Sequence, residues 1–350
     1  MKRIGLVMAL VMVAALLVGA IAVVSAQDEV TVGPITQTVL DRGELICGVN
    51  QFVQGFGFLN EAGEYEGFDV DICRAVAAAV LGDANAVSFR PLTAAERQAA
   101  IQNGEIDMMS RNTTWTLSRD TLWGVTYSPT TFYDGQGIGI NTERTPGVET
   151  LEDLDGGAIC VQQGTTTELN IADAISARGL DIELPTFPDA NSTWDSFIQG
   201  RCDAWTTDKS GILSFHATAE DPSVLAILDE TLSKEPLGPL SPQSDPQFAE
   251  IITWTVFGLI QAEEFGITSE NIGDFMESDA PDIQRFLGLN DNPAGSYLGI
   301  NNQFMVDVIT QVGNYGEIYA RHLGAAPFNL ERGLNDLWTN GGLLYAPPFR

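Results

Sequence analysis

The sequence predicts an α/β protein in which two doubly wound lobes are joined by a two-strand hinge and followed by a helix-rich C-terminal segment. Its 350 residues are enough for about two domains, each with its own core. Short apolar runs alternate with helical patterns in two successive regions, which is typical of parallel sheets. A segment rich in Pro and Gly, 234–238, then indicates that the chain crosses back to the first lobe.

In the first region we predict a strand at 44–49 that ends in a Gly-rich loop, and a helix from residue 68 onward. A strand at 87–89, a helix at 93–101 and a strand at 106–109 follow. The spacing of Thr93 and Glu96 is that of a capping box. The second region repeats the order at 157–161, 165–177, 182–187, 192–200 and 203–205. C-terminal helices are predicted at 248–263, 282–286, 302–312 and 318–323.

These elements predict where the chain divides. We expect residues 27–133 and 238–350 to form lobe 1, residues 138–233 to form lobe 2, and residues 134–137 and 234–237 to form the hinge. A cleft between two lobes is where small ligands usually bind.

The first 26 residues are predicted to be a secretory signal peptide. Lys2 and Arg3 precede an uncharged apolar run, 4–24, and Ser25 and Ala26 complete a small-residue cleavage site. The alternative is an uncleaved anchor, because the run approaches the ~20 residues that span a bilayer. We expect a mature protein that works in the periplasm or at the extracellular face of the cell envelope.

The composition excludes several partners. Lys and Arg number 17 and Asp and Glu 47, so the net charge is −30. A field of that sign repels phosphate backbones, and nucleic acid and anionic membrane surfaces are therefore not expected as partners. The acids are scattered and 44% of the residues are hydrophobic, which predicts a folded chain.

Export gives the four cysteines an oxidising environment. Of the three possible connectivities we favour Cys47–Cys73 and Cys160–Cys202, which pair neighbours within each region; four buried thiols are the alternative. The cysteines form no C-x-x-C pattern and the chain has only two histidines, so no metal site is expected.

The segment 110–119 follows the last strand of the first region, at the edge where open α/β sheets bind ligands. With Thr116 as N-cap, Arg119 falls in the first helical turn, where a cation is unfavourable unless it faces an anion. Free N–H groups, the hydroxyls of Thr113 and Thr114 and a guanidinium would together bind a carboxylate. The alternative is a solvated Arg119 beside Asp120.

The second region offers two matching features at strand ends. Thr165 and Glu168 have capping-box spacing after Gly164, so the N–H groups of Thr166 and Thr167 would face the cleft; a simple helix cap is the alternative. Asp208 could accept an ammonium group; a salt bridge to Lys209 or a helix cap is its alternative. Together these groups complement a zwitterion that carries carboxylate and ammonium on one carbon.

Six motifs make the mature chain resemble the solute-binding proteins of polar amino-acid ABC importers, which have the periplasmic-binding-protein type II fold. The resemblance is strongest to the general L-amino-acid-binding subfamily. The motifs are GFDVDICR at 67–74, SRNTTWTLSRD at 110–120, CVQQGTTTE at 160–168, GRCDA at 200–204, KEPLGP at 234–239 and QVGNYGE at 311–317.

The resemblance implies roles for particular residues. The ligand carboxylate would bind Arg119 and the N–H groups of Thr114 and Thr166. The ammonium would bind Asp208, Thr114 and the carbonyl of Asn112. Gln162 and Thr165, in the loop after the strand at 157–161, would lie beside the ligand. Phe52 or Phe56, in the Gly-rich loop after the strand at 44–49, would cover it.

The resemblance also implies a function. A monomer without cofactor would close on an L-amino acid and dock on a membrane permease, with no catalysis by this chain. The matched motifs hold no second strong charge for a ligand side chain, which favours a broad or polar range. Two alternatives are an exported dehydratase-like enzyme, with Glu168 and Asp208 as acid and base, and a sensor module tethered by residues 4–24.

Overall fold

The computed structural model describes residues 32–290 and 294–350 of the chain. The predicted signal peptide, residues 1–26, lies outside the described residues. Within those two ranges, no helix combines the length and the apolar character that crossing a bilayer requires.

The described residues form fourteen β-strands. In chain order they are β1 (Leu45–Val49), β2 (Phe52–Val53), β3 (Gly57–Leu59), β4 (Tyr65–Glu66), β5 (Val87–Pro91), β6 (Met108–Met109), β7 (Val125–Tyr127), β8 (Phe132–Asn141), β9 (Ile159–Gln162), β10 (Thr186–Phe187), β11 (Ala204–Asp208), β12 (Leu225–Ile227), β13 (Lys234–Leu237) and β14 (Leu240–Pro242). They build two large sheets and a small antiparallel one of β2, β3 and β4.

The first large sheet has the strand order β5-β1-β6-β14-β7. β1 is parallel to both β5 and β6, as strand–helix–strand units require. β14 is antiparallel to β6 and β7 and belongs to this sheet although it follows the second sheet in the chain. The carboxyl ends of β1 and β6 therefore lie at one edge.

The second large sheet has the order β10-β9-β11-β8-β12, with β13 beside β8. β9 is parallel to β10 and β11, and β8 is antiparallel to β11. The strand expected at 182–187 is shorter than predicted: Glu183 makes an isolated bridge with Ala158, and the ladder resumes at Thr186. Pro185 has no N–H to donate, which interrupts the ladder. The predicted α/β class with two sheets is confirmed.

The chain passes between the two large sheets along β8 and β13. These strands pair antiparallel, with Lys234 opposite Gly135 and Leu237 opposite Phe132. Beyond this pairing, β8 continues into the second sheet, where Gln136 lies opposite Asp208. The segments predicted to form the hinge lie in this crossing, and the lobe boundaries stay a prediction.

The described residues also form thirteen α-helices. They are α1 (Pro34–Arg42), α2 (Phe68–Leu81), α3 (Arg97–Gln102), α4 (Leu117–Leu122), α5 (Thr166–Arg178), α6 (Ala190–Ile198), α7 (Lys209–Ala217), α8 (Pro246–Phe265), α9 (Ile272–Phe275), α10 (Pro281–Phe286), α11 (Ala294–Tyr297), α12 (Phe304–Val312) and α13 (Tyr315–Tyr319). The predicted start at Thr93 is wrong, because α3 begins at Arg97. Thr93 donates its N–H and hydroxyl to the Glu96 carboxylate, so one half of the capping box forms.

The C-terminal helices pack into the core of the first sheet. α12 packs along α2, whose side chains are almost all buried. Asp71 of α2 is held by Arg321 and by His322, each at 2.6 Å. The hydroxyl of Tyr315 donates to the carbonyl of Thr131 at 2.7 Å. The C-terminal segment is helix-rich, as predicted.

Two disulfides link neighbouring elements within each half of the molecule. Cys47 of β1 bonds Cys73 of α2, and Cys160 of β9 bonds Cys202 before β11, with Cα–Cα distances of 6.2 and 5.6 Å. All four cysteines are buried. The predicted connectivity is confirmed.

Replacing Cys160 and Cys202 together by Ser should lower the free energy of unfolding by about 4 kcal/mol, because the bond closes a loop of 42 residues in the unfolded chain. Urea unfolding of both proteins measures the difference, with the reduced wild type as a second comparison. A loss below about 1 kcal/mol would contradict this account of the bond.

Candidate functional site

Loops at the carboxyl ends of three strands meet between the two large sheets. They follow β6 in the first sheet and β9 and β11 in the second, the edge where open α/β sheets bind ligands. Together they surround a small, polar cavity. Its lining residues are Arg97, Arg111, Asn112, Thr114, Arg119, Gln162, Thr165, Thr166, Thr167, Thr207 and Asp208.

Arg119 lies in the first turn of α4, as its spacing from Thr116 predicts. The hydroxyl of Thr116 accepts a hydrogen bond from the Arg119 N–H at 3.2 Å. The Arg119 side chain is 7% exposed, its Nη1 donates to the carbonyl of Thr114 at 3.0 Å, and its guanidinium lies 5.3 Å from the ring of Trp123. These contacts fix the guanidinium beside the cavity and leave its positive charge without a carboxylate partner within 4.0 Å among the described residues.

A buried carboxylate fixes the loop that leads to Arg119. Asn112 has a φ of 32°, which is unusual for a residue with a side chain. Asp69 holds it there by accepting the Asn112 N–H at 2.6 Å and the Ser110 hydroxyl at 3.2 Å. The side chain of Asn50 donates to Asn112 Oδ1 at 3.2 Å. The strained turn is thus determined by its surroundings, as is common at ligand sites.

The loop after β9 faces the Arg119 loop across the cavity. Thr165 caps α5 by accepting the Glu168 N–H at 3.0 Å, and Glu168 in turn accepts the Gly164 N–H at 2.7 Å. Gly164 has a φ of 75°, which favours glycine. The hydroxyls of Thr166 and Thr114 are 3.2 Å apart. The N-terminus of α5 therefore lies against the loop after β6, which carries Asn112 and Thr114.

Asp208 is the last residue of β11 and the N-cap position of α7, but its side chain makes no capping hydrogen bond. It is 6% exposed. Lys209, the alternative partner, instead donates its Nζ to the carbonyl of Asp229 at 2.9 Å. Asp208 is the one carboxylate among the residues that line the cavity.

Burial dominates the electrostatics of these groups. It raises the pKa of Asp208 well above the usual range, and the carboxylates of Asp134 and Glu235 shift it further upward. A hydrogen bond from Asn112 and the charge of Arg119 oppose the shift. Burial also lowers the pKa of Arg119. Each charge at the cavity therefore gains from an added partner of opposite sign.

Glu235 joins both loops to the crossing strand β13. It is 1% exposed, and its Oε2 accepts the hydroxyls of Thr114 at 2.6 Å and Thr166 at 2.9 Å. Its Oε1 accepts the Asn170 side chain at 2.9 Å and the Ser233 hydroxyl. The sequence places Glu235 in the predicted hinge motif but does not reveal these contacts, because they depend on the pairing of β13 with β8.

The structure brings together seven of the nine predicted ligand-binding residues and separates two. Phe56 is a correction: it is 2% exposed and packs edge-on against Phe68 and Phe132, at 6.2 and 5.0 Å between ring centroids, so it belongs to the core. Phe52 is half-buried on β2, packs against the same core and does not line the cavity. The seven that line it are Asn112, Thr114, Arg119, Gln162, Thr165, Thr166 and Asp208.

Three lining residues were not singled out from the sequence: Arg97, Arg111 and Thr207. Thr167, whose N–H was expected to face the cleft, also lines the cavity. Arg97 and Arg111 are 2% and 3% exposed. The matched motifs were expected to hold no second strong charge for a ligand side chain, whereas two further guanidiniums line the cavity. Arg111 stands inside the motif 110–120, so its place in the loop was the available signal. Within residues 32–290 and 294–350, no group of three His, Cys, Asp or Glu side chains could hold a metal ion.

Two named proteins are similar to this chain over most of its length. The general L-amino acid-binding periplasmic protein AapJ of Rhizobium johnstonii is 47% identical over 314 residues, which cover 88% of this chain and 91% of that one. The glutamate/glutamine/aspartate/asparagine-binding protein BztA of Rhodobacter capsulatus is 44% identical over 311 residues, with coverage of 88% and 91%. Both are named as binding proteins.

A solved structure and a family profile extend the likeness to the fold. An ABC transporter periplasmic binding protein from Brucella ovis, with glutathione bound, superimposes with a TM-score of 0.87 and 44% identity, over 90% of this chain and 99% of that chain. The profile of the bacterial extracellular solute-binding proteins, family 3, matches residues 45–280. This match, the relatives and the two-sheet architecture together show that the chain belongs to the bacterial extracellular solute-binding proteins of family 3.

Proposed function

We propose that the protein captures L-amino acids outside the cytoplasm, over a broad or polar range, and delivers them to the permease of an ABC importer. One observation carries this proposal. A buried cation from the first sheet's loop, Arg119, and a buried anion from the second sheet's last parallel strand, Asp208, line one cavity. A zwitterion is the ligand that pairs both charges at once.

The carboxylate of the ligand binds the Arg119 guanidinium and the N–H groups of Thr114 and Thr166. Thr166 is the first residue of α5, where N–H groups have no acceptor within the helix and favour an anion. The antiparallel bridge of Thr114 with Leu237 uses the N–H groups of Trp115 and Gly238. The Thr114 N–H is therefore left for the ligand.

The ammonium group binds Asp208, the Thr114 hydroxyl and the Asn112 carbonyl. Asp208 is buried and lacks a cationic partner within 4.0 Å among the described residues, so a bound ammonium would stabilise its charged form. Gln162 and Thr165 lie beside the same space and contact the rest of the ligand.

Binding is coupled to closure about the hinge 134–137 and 234–237, with lobe 1 formed by residues 27–133 and 238–350 and lobe 2 by residues 138–233. Contacts across the cleft support this: Arg97 Nη2 donates to the Gly164 carbonyl at 3.2 Å, and the Ser214 hydroxyl donates to the Gln54 carbonyl at 2.7 Å. A ligand that touches both sides favours the conformation that makes these contacts.

The relatives support the transport role and an extracytoplasmic location. The removal of residues 1–26 as a signal peptide is proposed from the sequence pattern alone. The chain acts as a binding protein without catalysis. Of the two carboxylates that a dehydratase-like mechanism would use, Glu168 caps α5 through its bond with Gly164 and does not line the cavity. Asp208 alone does not provide an acid–base pair.

Arg119→Met should weaken binding at least about 100-fold, because it leaves the ligand carboxylate buried without its charged partner, at a cost of roughly 3–5 kcal/mol. The measurement is titration calorimetry with the best ligand from a thermal-shift screen of the twenty amino acids. Arg90→Met is the control, since Arg90 is an exposed residue of β5 paired with Glu105. Unchanged affinity in Arg119→Met would contradict the carboxylate assignment.

Asp208→Asn should weaken the amino acid at least about tenfold more than its analogue that lacks the α-ammonium group, because only the amino acid loses an ion pair. Wild-type affinity should also fall toward acidic pH, as Asp208 takes up a proton and loses the charge that binds ammonium. In Asp208→Asn this pH dependence should be weaker.

The control for Asp208→Asn is Asp195→Asn, at an exposed position of α6. Equal losses for the amino acid and its deaminated analogue would rule out the ammonium role of Asp208. An unaltered pH dependence in the variant would do the same.

A further inference from the structure

The guanidinium of Arg111 is buried at the cavity with its terminal nitrogens unused. The side chain is 3% exposed and lines the cavity. Its Nε donates to the carbonyl of Leu92 at 2.7 Å, which fixes the orientation of the planar group. Among the described residues, Nη1 and Nη2 have no hydrogen-bond acceptor, and no carboxylate lies within 4.0 Å.

Arg97, the other unassigned cation of the cavity, differs in this respect. Its Nε donates to the carbonyl of Ala94 at 3.0 Å, its Nη1 to the hydroxyl of Thr113 at 3.3 Å, and its Nη2 to the carbonyl of Gly164 at 3.2 Å. All three nitrogens of Arg97 are therefore engaged within the protein. Arg97 joins the two sides of the cleft, whereas Nη1 and Nη2 of Arg111 are free to donate to a ligand.

Arg111 is charged at neutral pH although it is buried. Burial and the nearby charge of Arg119 lower its pKa, to about 10, while Asp69, Asp208 and Glu96 act in the opposite direction. Asp69 is already bound by the Asn112 N–H and the Ser110 hydroxyl. Burying a guanidinium whose outer nitrogens lack partners costs free energy, unless an anion accepts hydrogen bonds from those nitrogens.

We propose that Arg111 binds a second carboxylate of the ligand, so that the preferred ligands are dicarboxylic amino acids, glutamate or aspartate. The inference rests on the proposed function, in which Arg119 and Asp208 take the α-carboxylate and the α-ammonium. A third charged group in the cavity then meets the side-chain carboxylate, in the bidentate geometry that a guanidinium offers.

The test compares glutamate with glutamine, which has nearly the same shape but a neutral side chain. Titration calorimetry at neutral pH should give at least about tenfold tighter binding of glutamate to the wild type, as expected for a charge-assisted pair. In Arg111→Gln the two affinities should differ by less than about threefold, mainly through loss of glutamate binding. Arg97→Gln is the matched control and should weaken both ligands by similar factors.

The outcomes separate the two proposals. Equal or tighter binding of glutamine by the wild type, or an undiminished glutamate preference in Arg111→Gln, overturns the role of Arg111 and leaves the proposed function standing. If neither amino acid nor any other in the thermal-shift screen binds, the proposed function itself fails. Far-UV circular dichroism checks that each variant folds. If Arg111→Gln does not fold, Arg111→Lys takes its place and should keep part of the preference for glutamate. A variant that binds glutamine more weakly but keeps the full preference for glutamate would contradict the inference.

Discussion

The buried charges between the two sheets are the constraint on which the site depends. Arg119 and Asp208 are 7% and 6% exposed, yet each lacks an oppositely charged partner within 4.0 Å among the described residues. Ions removed from water are costly, and neutral carbonyls such as that of Thr114 offset only part of that cost. In the proposed function a small zwitterion pairs both groups at once and offsets this cost.

Glu235 connects the residues of the site to the crossing strands. It stands on β13, and it binds the hydroxyls of Thr114 from one side of the cleft and Thr166 from the other. Both threonines also supply groups to the proposed ligand carboxylate. A change in the angle between the sheets would alter the distances around Glu235 and the proposed ligand together, because the crossing strand β13 and the site share one hydrogen-bonded network.

The sequence predicts the parts of this site that depend on local rules. The cap at Thr116 locates Arg119, the cap at Thr165 locates the N-terminus of α5, and the end of β11 locates Asp208. It fails where a residue's role depends on distant packing. Phe52 and Phe56 fall in the same predicted loop, and only packing against Phe68 and Phe132 shows that Phe56 is a core residue. Arg111 lies within a recognised motif, but its unused nitrogens are visible only once the cavity is built.

The order in which the elements occur along the chain has a consequence for biogenesis. The second sheet is built from the contiguous strands β8 to β13, whereas the first needs β14 and rests on α12 and Tyr315 near the far end of the chain. During synthesis, which proceeds from the N-terminus, strands β8 to β13 are all present before about the last hundred residues have been made. The half that carries Arg119 can complete its native contacts only once the C-terminal segment is also present.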